Sequence, residues 1–298
     1  MAGPLQGRRS AEAKGLLIVG TGAVVLSFEG VLVQALDASQ WTILFVRGPL
    51  MAAGFLLIFW AGWGRAGGLV SGLRAAGGWG LAAGVLFAAD NVLFIVALRT
   101  TSVANTLVIL TTAPVWAALG GRLLLGERVG ARTWAVAATV LAGVAIIFSG
   151  SLGRGPLPGD LAALGAAISI AGTLLIIRRA RTVVMLPSMA LGALGAGLVA
   201  WPLADPGGVS AHDALILLLL GLVITPVAFG CIAIGPRYLP AHEVGLVMLL
   251  ETALGPLWAW VFLAQVPGAR TLAGGAIIVA ALATQSFLSI RRPALPVP

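Results

Sequence analysis

Long apolar runs, each closed by a short polar or Gly/Pro-rich stretch, divide the chain into ten segments of membrane-crossing length. A bilayer core takes about 20 apolar residues per helix. Such runs cover residues 16–36, 41–62, 78–98, 103–124, 133–151, 160–177, 183–203, 214–236, 243–264 and 271–290. The breakers between them include Asp37-Ala38-Ser39, Gly67-Gly68, Gly153-Arg154-Gly155-Pro156 and Asp205-Pro206-Gly207-Gly208. The pattern predicts an all-α integral membrane protein of ten helices with almost nothing left for a soluble domain. The least marked boundary is the third, where Arg99 to Ser102 alone separate two apolar runs.

Composition sharpens this. The 298 residues are 59% hydrophobic and 9% charged, with a mean hydropathy of +1.05. A soluble domain carries roughly a quarter charged residues. The net charge of +8 does not point to nucleic acid, because the basic residues stand singly or in short clusters between apolar runs. They orient the chain instead. With a cytoplasmic N-terminus, Arg8, Arg9, Lys14, Arg65, Arg74, Arg122, Arg128, Arg132, Arg178, Arg179, Arg181, Arg237, Arg291 and Arg292 face the cytoplasm. Arg99, Arg154 and Arg270 lie outside, and Arg47 falls within a span. One missed span would destroy that asymmetry, so both termini are expected in the cytoplasm of an inner-membrane protein. A basic segment before an apolar run also mimics a signal peptide, but Glu29 interrupts the run and its removal would upset the count.

Other classes lose ground. Cys231 has no partner for an internal disulfide, and Lys14, before the first run, is the single lysine, which excludes a Schiff base within the bundle. Neither His212 nor His242 has metal-ligand spacing, and no Gly-x-x-x-x-Gly-Lys loop is present. No cofactor, metal or catalytic group is expected, and the partners are a small-molecule substrate and the lipid bilayer.

Ten spans divide into two fives. A shift of 138 residues superposes Gly130-Ala131-Arg132-Thr133 on Gly268-Ala269-Arg270-Thr271, Arg99 on Arg237 and Glu127 on Gln265. Five is odd, so halves 1–152 and 153–298 are expected to cross the membrane in opposite senses. Inverted repeats of this kind suit alternating access around a midplane site. Duplication in a static membrane protein is the other reading.

The segment Ala97 to Ile147, with Pro114, Leu125-Gly126-Glu127, Trp134 and Gly143, resembles the signature of the drug/metabolite transporter superfamily, in its ten-span EamA-type branch. The stretch Glu251-Thr252-Ala253-Leu254-Gly255-Pro256-Leu257-Trp258 is similar to the YddG-type amino-acid exporters. Departures are Gln265 at an acidic position of the family and Thr252 at a proline. The resemblance implies a basket in which spans 1, 3, 4, 6, 8 and 9 surround a central cavity, with 5 and 10 to one side. It also implies export of small metabolites, amino acids first, with drugs or organic cations as the alternative.

Charges inside a membrane are costly and by default functional. Glu29, Arg47, Asp90 and Glu251 fall in spans 1, 2, 3 and 9. Glu251 is a candidate for a substrate ammonium or a proton, or else a buried carboxyl paired with Arg47. Glu29 and Arg47 sit toward the outer third of adjacent spans, as an ion pair or as substrate contacts. Asp90 shares a helical face with Phe87 and Phe94. Either that face lines the cavity, or Asn91 does and Asp90 ties two helices together. Thr111, Thr112 and Thr225 offer hydroxyls to a ligand or to their own helices. Trp116, Trp258 and Trp260 lie deep in their spans, as cavity wall or as core. Trp41, Trp63, Trp79 and Trp201 sit at span ends as interfacial anchors. Pro114, Pro226 and Pro256 mark possible openings of the helical backbone. The candidate substrate-binding set is therefore Glu251, Asp90, Asn91, Phe87, Glu29, Thr111, Thr112, Trp116, Thr225 and Thr252. Gly143, Gly150, Gly274 and Gly275 offer close contact to the twin helix or to a second protomer, so monomer and homodimer stay equally open.

Overall fold

The computed structural model describes residues 4–62, 68–126, 131–151, 156–180, 183–234 and 241–290. Trp63, Arg65, Glu127, Arg128, Arg154, Arg181, Arg237, Arg291 and Arg292 lie outside the described residues. The described backbone is helical throughout, without strands: α1 (Pro4–Ser27), α2 (Glu29–Gln34), α3 (Gln40–Gly62), α4 (Gly68–Thr100), α5 (Val103–Leu110), α6 (Ala113–Leu125), α7 (Ala131–Ser151), α8 (Leu157–Arg179), α9 (Leu186–Ala200), α10 (Ala211–Leu218), α11 (Thr225–Ile234), α12 (Ala241–Leu263) and α13 (Ala269–Ile290). Seven stretches among the described residues are long and apolar enough to cross a membrane, and three shorter apolar helices, Trp134–Gly150, Leu250–Leu263 and Ala269–Thr284, accompany them. Large apolar side chains such as Leu57, Trp60, Leu81 and Leu215 are more than 60% exposed, a surface that suits lipid and not water.

Three of the predicted spans are broken. The first changes from α1 to α2 at Phe28, where the Ser27 hydroxyl donates to the Val24 carbonyl at 2.6 Å and competes with the helical ladder. The fourth breaks at Thr111-Thr112. There Thr112 N–H reaches back three residues to Ile109 O at 3.0 Å, and Pro114, with no N–H to give, sits at the start of α6. The eighth widens into a π-helical stretch, Leu219–Ile224, between α10 and α11, just before Pro226. Pro256, by contrast, lies inside an unbroken α12.

The chain turns a corner at Gly77, whose φ of 51° and ψ of −142° interrupt α4. A Cβ there would meet nothing within 4 Å, so the demand for glycine is one of backbone conformation, not space. Gly77→Ala should therefore lower stability by about 1–2 kcal/mol. Gly78→Ala, equally open but without a positive φ, should leave the thermal midpoint in detergent unchanged or slightly raised. Equal effects at the two sites would show that the corner does not depend on glycine.

Helix contacts are set by small residues, as expected where apolar burial gives no preference between lipid and helix. α9 lies between α3 and α4. A Cβ on Gly48 would fall 2.5 Å from the Ala193 carbonyl oxygen, and one on Gly192 would fall 2.4 Å from that of Gly84. α7 runs along α13 with Gly143 facing Gly274, while Gly150 lies against the Arg270 side chain. The twin helix, not a second protomer, thus takes the Gly143 face. α1 packs on α11 and α12, α8 on α4, α5 and α6, and α3 on α11.

Candidate functional site

The break at Phe28 leaves Glu29 as the first residue of α2, turned into the protein at 5% exposure. Arg47 comes to it from α3 at 1% exposure, and the two form an ion pair through Arg47 Nη2 and Glu29 Oε1. The same Nη2 donates to Thr225 Oγ1 at 2.9 Å. Thr225 Oγ1 in turn lies 3.4 Å from the second Glu29 oxygen, Oε2. Thr225 reaches this position from the first turn after the π-helical stretch. Three helix segments therefore meet on one charged triad, and two of them contribute at a place where the backbone leaves α-helical geometry.

Two more carboxylates surround the triad. Asp90 is buried on α4, within electrostatic reach of both Glu29 and Arg47. Glu251 is half-buried on α12, within reach of Glu29 and Asp90. The cluster thus sets three carboxylates against one guanidinium, drawn from α2, α3, α4 and α12, in a region of low dielectric where charges act strongly on one another. The Glu29–Arg47 ion pair is one of the two readings that the sequence offered for these residues, and it sets span 2 beside a centre that the resemblance implies spans 1, 3, 4, 6, 8 and 9 surround.

The other predicted residues divide. Asn91 is buried beside the cluster, donates to Phe87 O at 2.9 Å and lines, with Arg47, a narrow gap between α3, α4 and α9. Phe87 is fully buried in an edge-to-face triangle with Phe55 and Phe229, at ring separations of 5.7, 6.1 and 5.6 Å. Such an arrangement packs three helices together. Thr111 and Thr112 donate to the carbonyls of Val108 and Ile109 at 2.6 and 2.7 Å, and Trp116 Nε1 donates to the Thr112 hydroxyl at 3.0 Å. These bonds stay within the α5–α6 break, where Thr111 takes up the Val108 carbonyl and the Ile109 carbonyl receives both the N–H and the hydroxyl of Thr112. Thr252 is buried next to Glu251 in the chain. Trp258 clamps the other break: its Nε1 donates to Ser27 Oγ at 2.9 Å, and its ring stacks on Phe28 at 4.8 Å.

Sequence reading passed over two carboxylates at one end of the bundle. Asp160, fully buried, accepts from Thr101 Oγ1 at 2.7 Å and Asn105 Nδ2 at 3.0 Å, and Asn105 Oδ1 accepts from Thr271 at 2.5 Å. Asp213, also buried, takes the Ala38 N–H at 2.9 Å, while its own N–H donates to Ser210 Oγ at 3.0 Å. Gln34 reaches the Leu98 carbonyl at 2.6 Å and is itself bonded by Gln265, and Arg99 donates to Leu36 O at 2.8 Å. The signal for Asp213 was the Ser-x-x-Asp spacing of a helix start. Asp160 had only its place after Pro158-Gly159.

The chain as a whole is similar to known proteins. The family model described as EamA-like transporter family matches residues 13–149 and again 157–287. The riboflavin transporter of Rhizobium johnstonii is 28% identical over 272 residues, which cover 87% of this chain and 89% of that protein. A solved crystal structure superposes with a TM-score of 0.65 at 21% identity, across 94% of this chain and all of its own, which is a likeness of fold. An all-helical fold with long apolar helices agrees with these matches. The chain belongs to the EamA-like transporter family.

Proposed function

We propose that this multi-pass membrane transporter exports small metabolites, amino acids foremost, by alternating access between two inverted five-helix halves. The observation that carries the reading is the charged centre, where Glu29, Asp90 and Glu251 surround Arg47 and Thr225. An amino acid is a zwitterion, so its site needs acceptors for an ammonium and donors for a carboxylate. This cluster holds both within one buried region.

The halves, residues 1–152 and 153–298, are supported by the double family match. Helix neighbours support them too. Counted as ten spans, the contacts of span 1 with 8 and 9 have counterparts in those of span 6 with 3 and 4, and that of 2 with 8 in that of 7 with 3. An exchange of first and second halves maps each pair onto its counterpart. The hydrogen bonds from Asp160, Asp213, Gln34 and Arg99 tie one end of the bundle shut, as a closed gate of such a cycle would be tied. The distribution of arginines favours an inner-membrane protein with both termini in the cytoplasm.

Two other substrate classes have observations behind them. The name of the Rhizobium relative favours riboflavin, a neutral molecule that would leave the carboxylates without a charged partner. The excess of carboxylates over guanidinium favours an organic cation. Flux of labelled amino acids, riboflavin and a dication into proteoliposomes of purified protein separates the three. Amino-acid flux is the expected result. Its absence, with riboflavin or the dication carried instead, would transfer the assignment. Glu251→Gln should cut amino-acid flux more than about tenfold or change its pH dependence. Unchanged kinetics across pH would leave Glu251 with a purely structural part.

A further inference from the structure

Arg47 has more donors than partners. A guanidinium carries five N–H groups in a fixed plane. Nη2 serves Glu29 and Thr225, yet Nε and Nη1, buried with the rest of the side chain, have no hydrogen-bond partner. Buried charged donors without acceptors are expensive, and each one in a native structure calls for an explanation, of which a bound ligand is one. The ion pair alone would not call for this: a carboxylate bonded to both arms of the fork would use the guanidinium more fully.

The unpartnered nitrogens belong to the residue that lines the gap between α3, α4 and α9, whose other walls are Leu44, Gly48, Met51, Asn91, Ala193 and Ala196. All but Asn91 are apolar or without a side chain, so Arg47 is its charged donor. As the helices stand the gap has no room for a water molecule, and it is held closed by the approach of α3 and α9 at Gly48 and Ala193. Separation of those two helices would open it onto the guanidinium. The nearby carboxylates repel a free anion, but they favour an anion that carries its own cation.

We infer that Arg47, through Nε and Nη1, reads the carboxylate of a zwitterionic ligand, while Nη2 keeps Glu29 in place. Arg47 is then the specificity-determining residue that separates an amino acid from the amine of the same side chain. This inference rests on the amino-acid reading above, and a matched set of ligands tests the two separately. Phenylalanine, its primary amide and phenethylamine share the ring and the ammonium. They differ in presenting a carboxylate, a neutral carbonyl or no acceptor.

Binding is measured as ligand-induced thermal stabilisation of the purified protein and as competition for flux in proteoliposomes. The acid should bind roughly 100-fold more tightly than the amine, because the amine leaves the buried donors bare, with the amide between them. Arg47→Lys retains the charge beside Glu29 but loses the planar fork, and it should shrink the difference to below about tenfold. If acid and amine bind alike to the wild type, the inference falls while a cation-transporting reading stands. If no member of the set binds, the amino-acid reading fails and the inference with it. The wild-type comparison decides the matter even where Arg47→Lys does not fold.

Discussion

Replacing Arg47 by methionine should destabilise the protein by about 3–5 kcal/mol, the usual cost of removing one partner from a buried ion pair. The reason is what stays behind. Glu29 would keep its carboxylate at 5% exposure, with Thr225 as its remaining bonded partner and Asp90 and Glu251 nearby. Methionine has about the right length to fill the space of the arginine stem, so the loss would be electrostatic and not a cavity effect. Combining it with Glu29→Gln removes the orphaned charge, and the double variant should recover most of the loss, since replacing both members of a buried pair is often close to neutral. Thermal unfolding of the single and double variants in detergent measures the difference. If the double variant is as unstable as the single one, Arg47 stabilises the fold through its contacts with Thr225 and the walls of the gap, and the ion pair contributes little.

That triad shows how far the sequence could be read and where reading stopped. Glu29 and Arg47 were visible as a pair because charged residues in apolar runs stand out and adjacent spans tend to be neighbours. Their meeting with Thr225 was not visible. It depends on a break at Phe28, where no proline marks the helix, and on a π-helical stretch that hydrophobic periodicity does not register. The first is a local competition between the Ser27 hydroxyl and the helical ladder, and the second is a change of backbone hydrogen bonding within an apolar run. Prolines were an incomplete guide as well. Pro114 and Pro226 stand at backbone irregularities, but Pro256 lies in a continuous helix.

Burial was legible, and direction less so. Phe87 shares the face of Asp90 by helical spacing, yet its ring fits between Phe55 of the preceding helix and Phe229, contributed by a helix far away in sequence. Thr111 and Thr112 carry hydroxyls suited to a ligand, but both donate to carbonyls of their own helix at the break. Asp160 and Asp213 were passed over because a carboxylate at a span end reads as solvated. Both are buried as hubs that fasten loops to helix starts. The elbow at Gly77 was not read from the sequence, which placed the breaker between the second and third spans at Gly67-Gly68, because a positive φ at one glycine leaves no mark on hydrophobic periodicity.

The helix crossings carry the second large effect. Gly192→Ala should cost about 1–3 kcal/mol by overpacking, and Gly192→Leu should prevent assembly of the α3–α9–α4 layer altogether. An added Cβ would stand 2.4 Å from the Gly84 carbonyl oxygen, a backbone atom that cannot rotate away. α9 cannot retreat either, because it also packs on α3, so closely that a Cβ built on Gly48 would fall 2.5 Å from the Ala193 oxygen. Gly195→Ala on the same helix is the control, since its Cβ would meet only Ala88 at an ordinary 3.7 Å. There the change should be neutral or stabilising, as the helix gains a better former. The same contrast bears on transport: if α9 slides between α3 and α4 as the gap beside Arg47 opens, Gly192→Ala should lower flux per folded molecule while Gly195→Ala leaves it intact. Equal stability and equal flux for the two variants would mean that α9 is held by lipid and loops, and that the glycine crossing neither fixes the layer nor guides its movement.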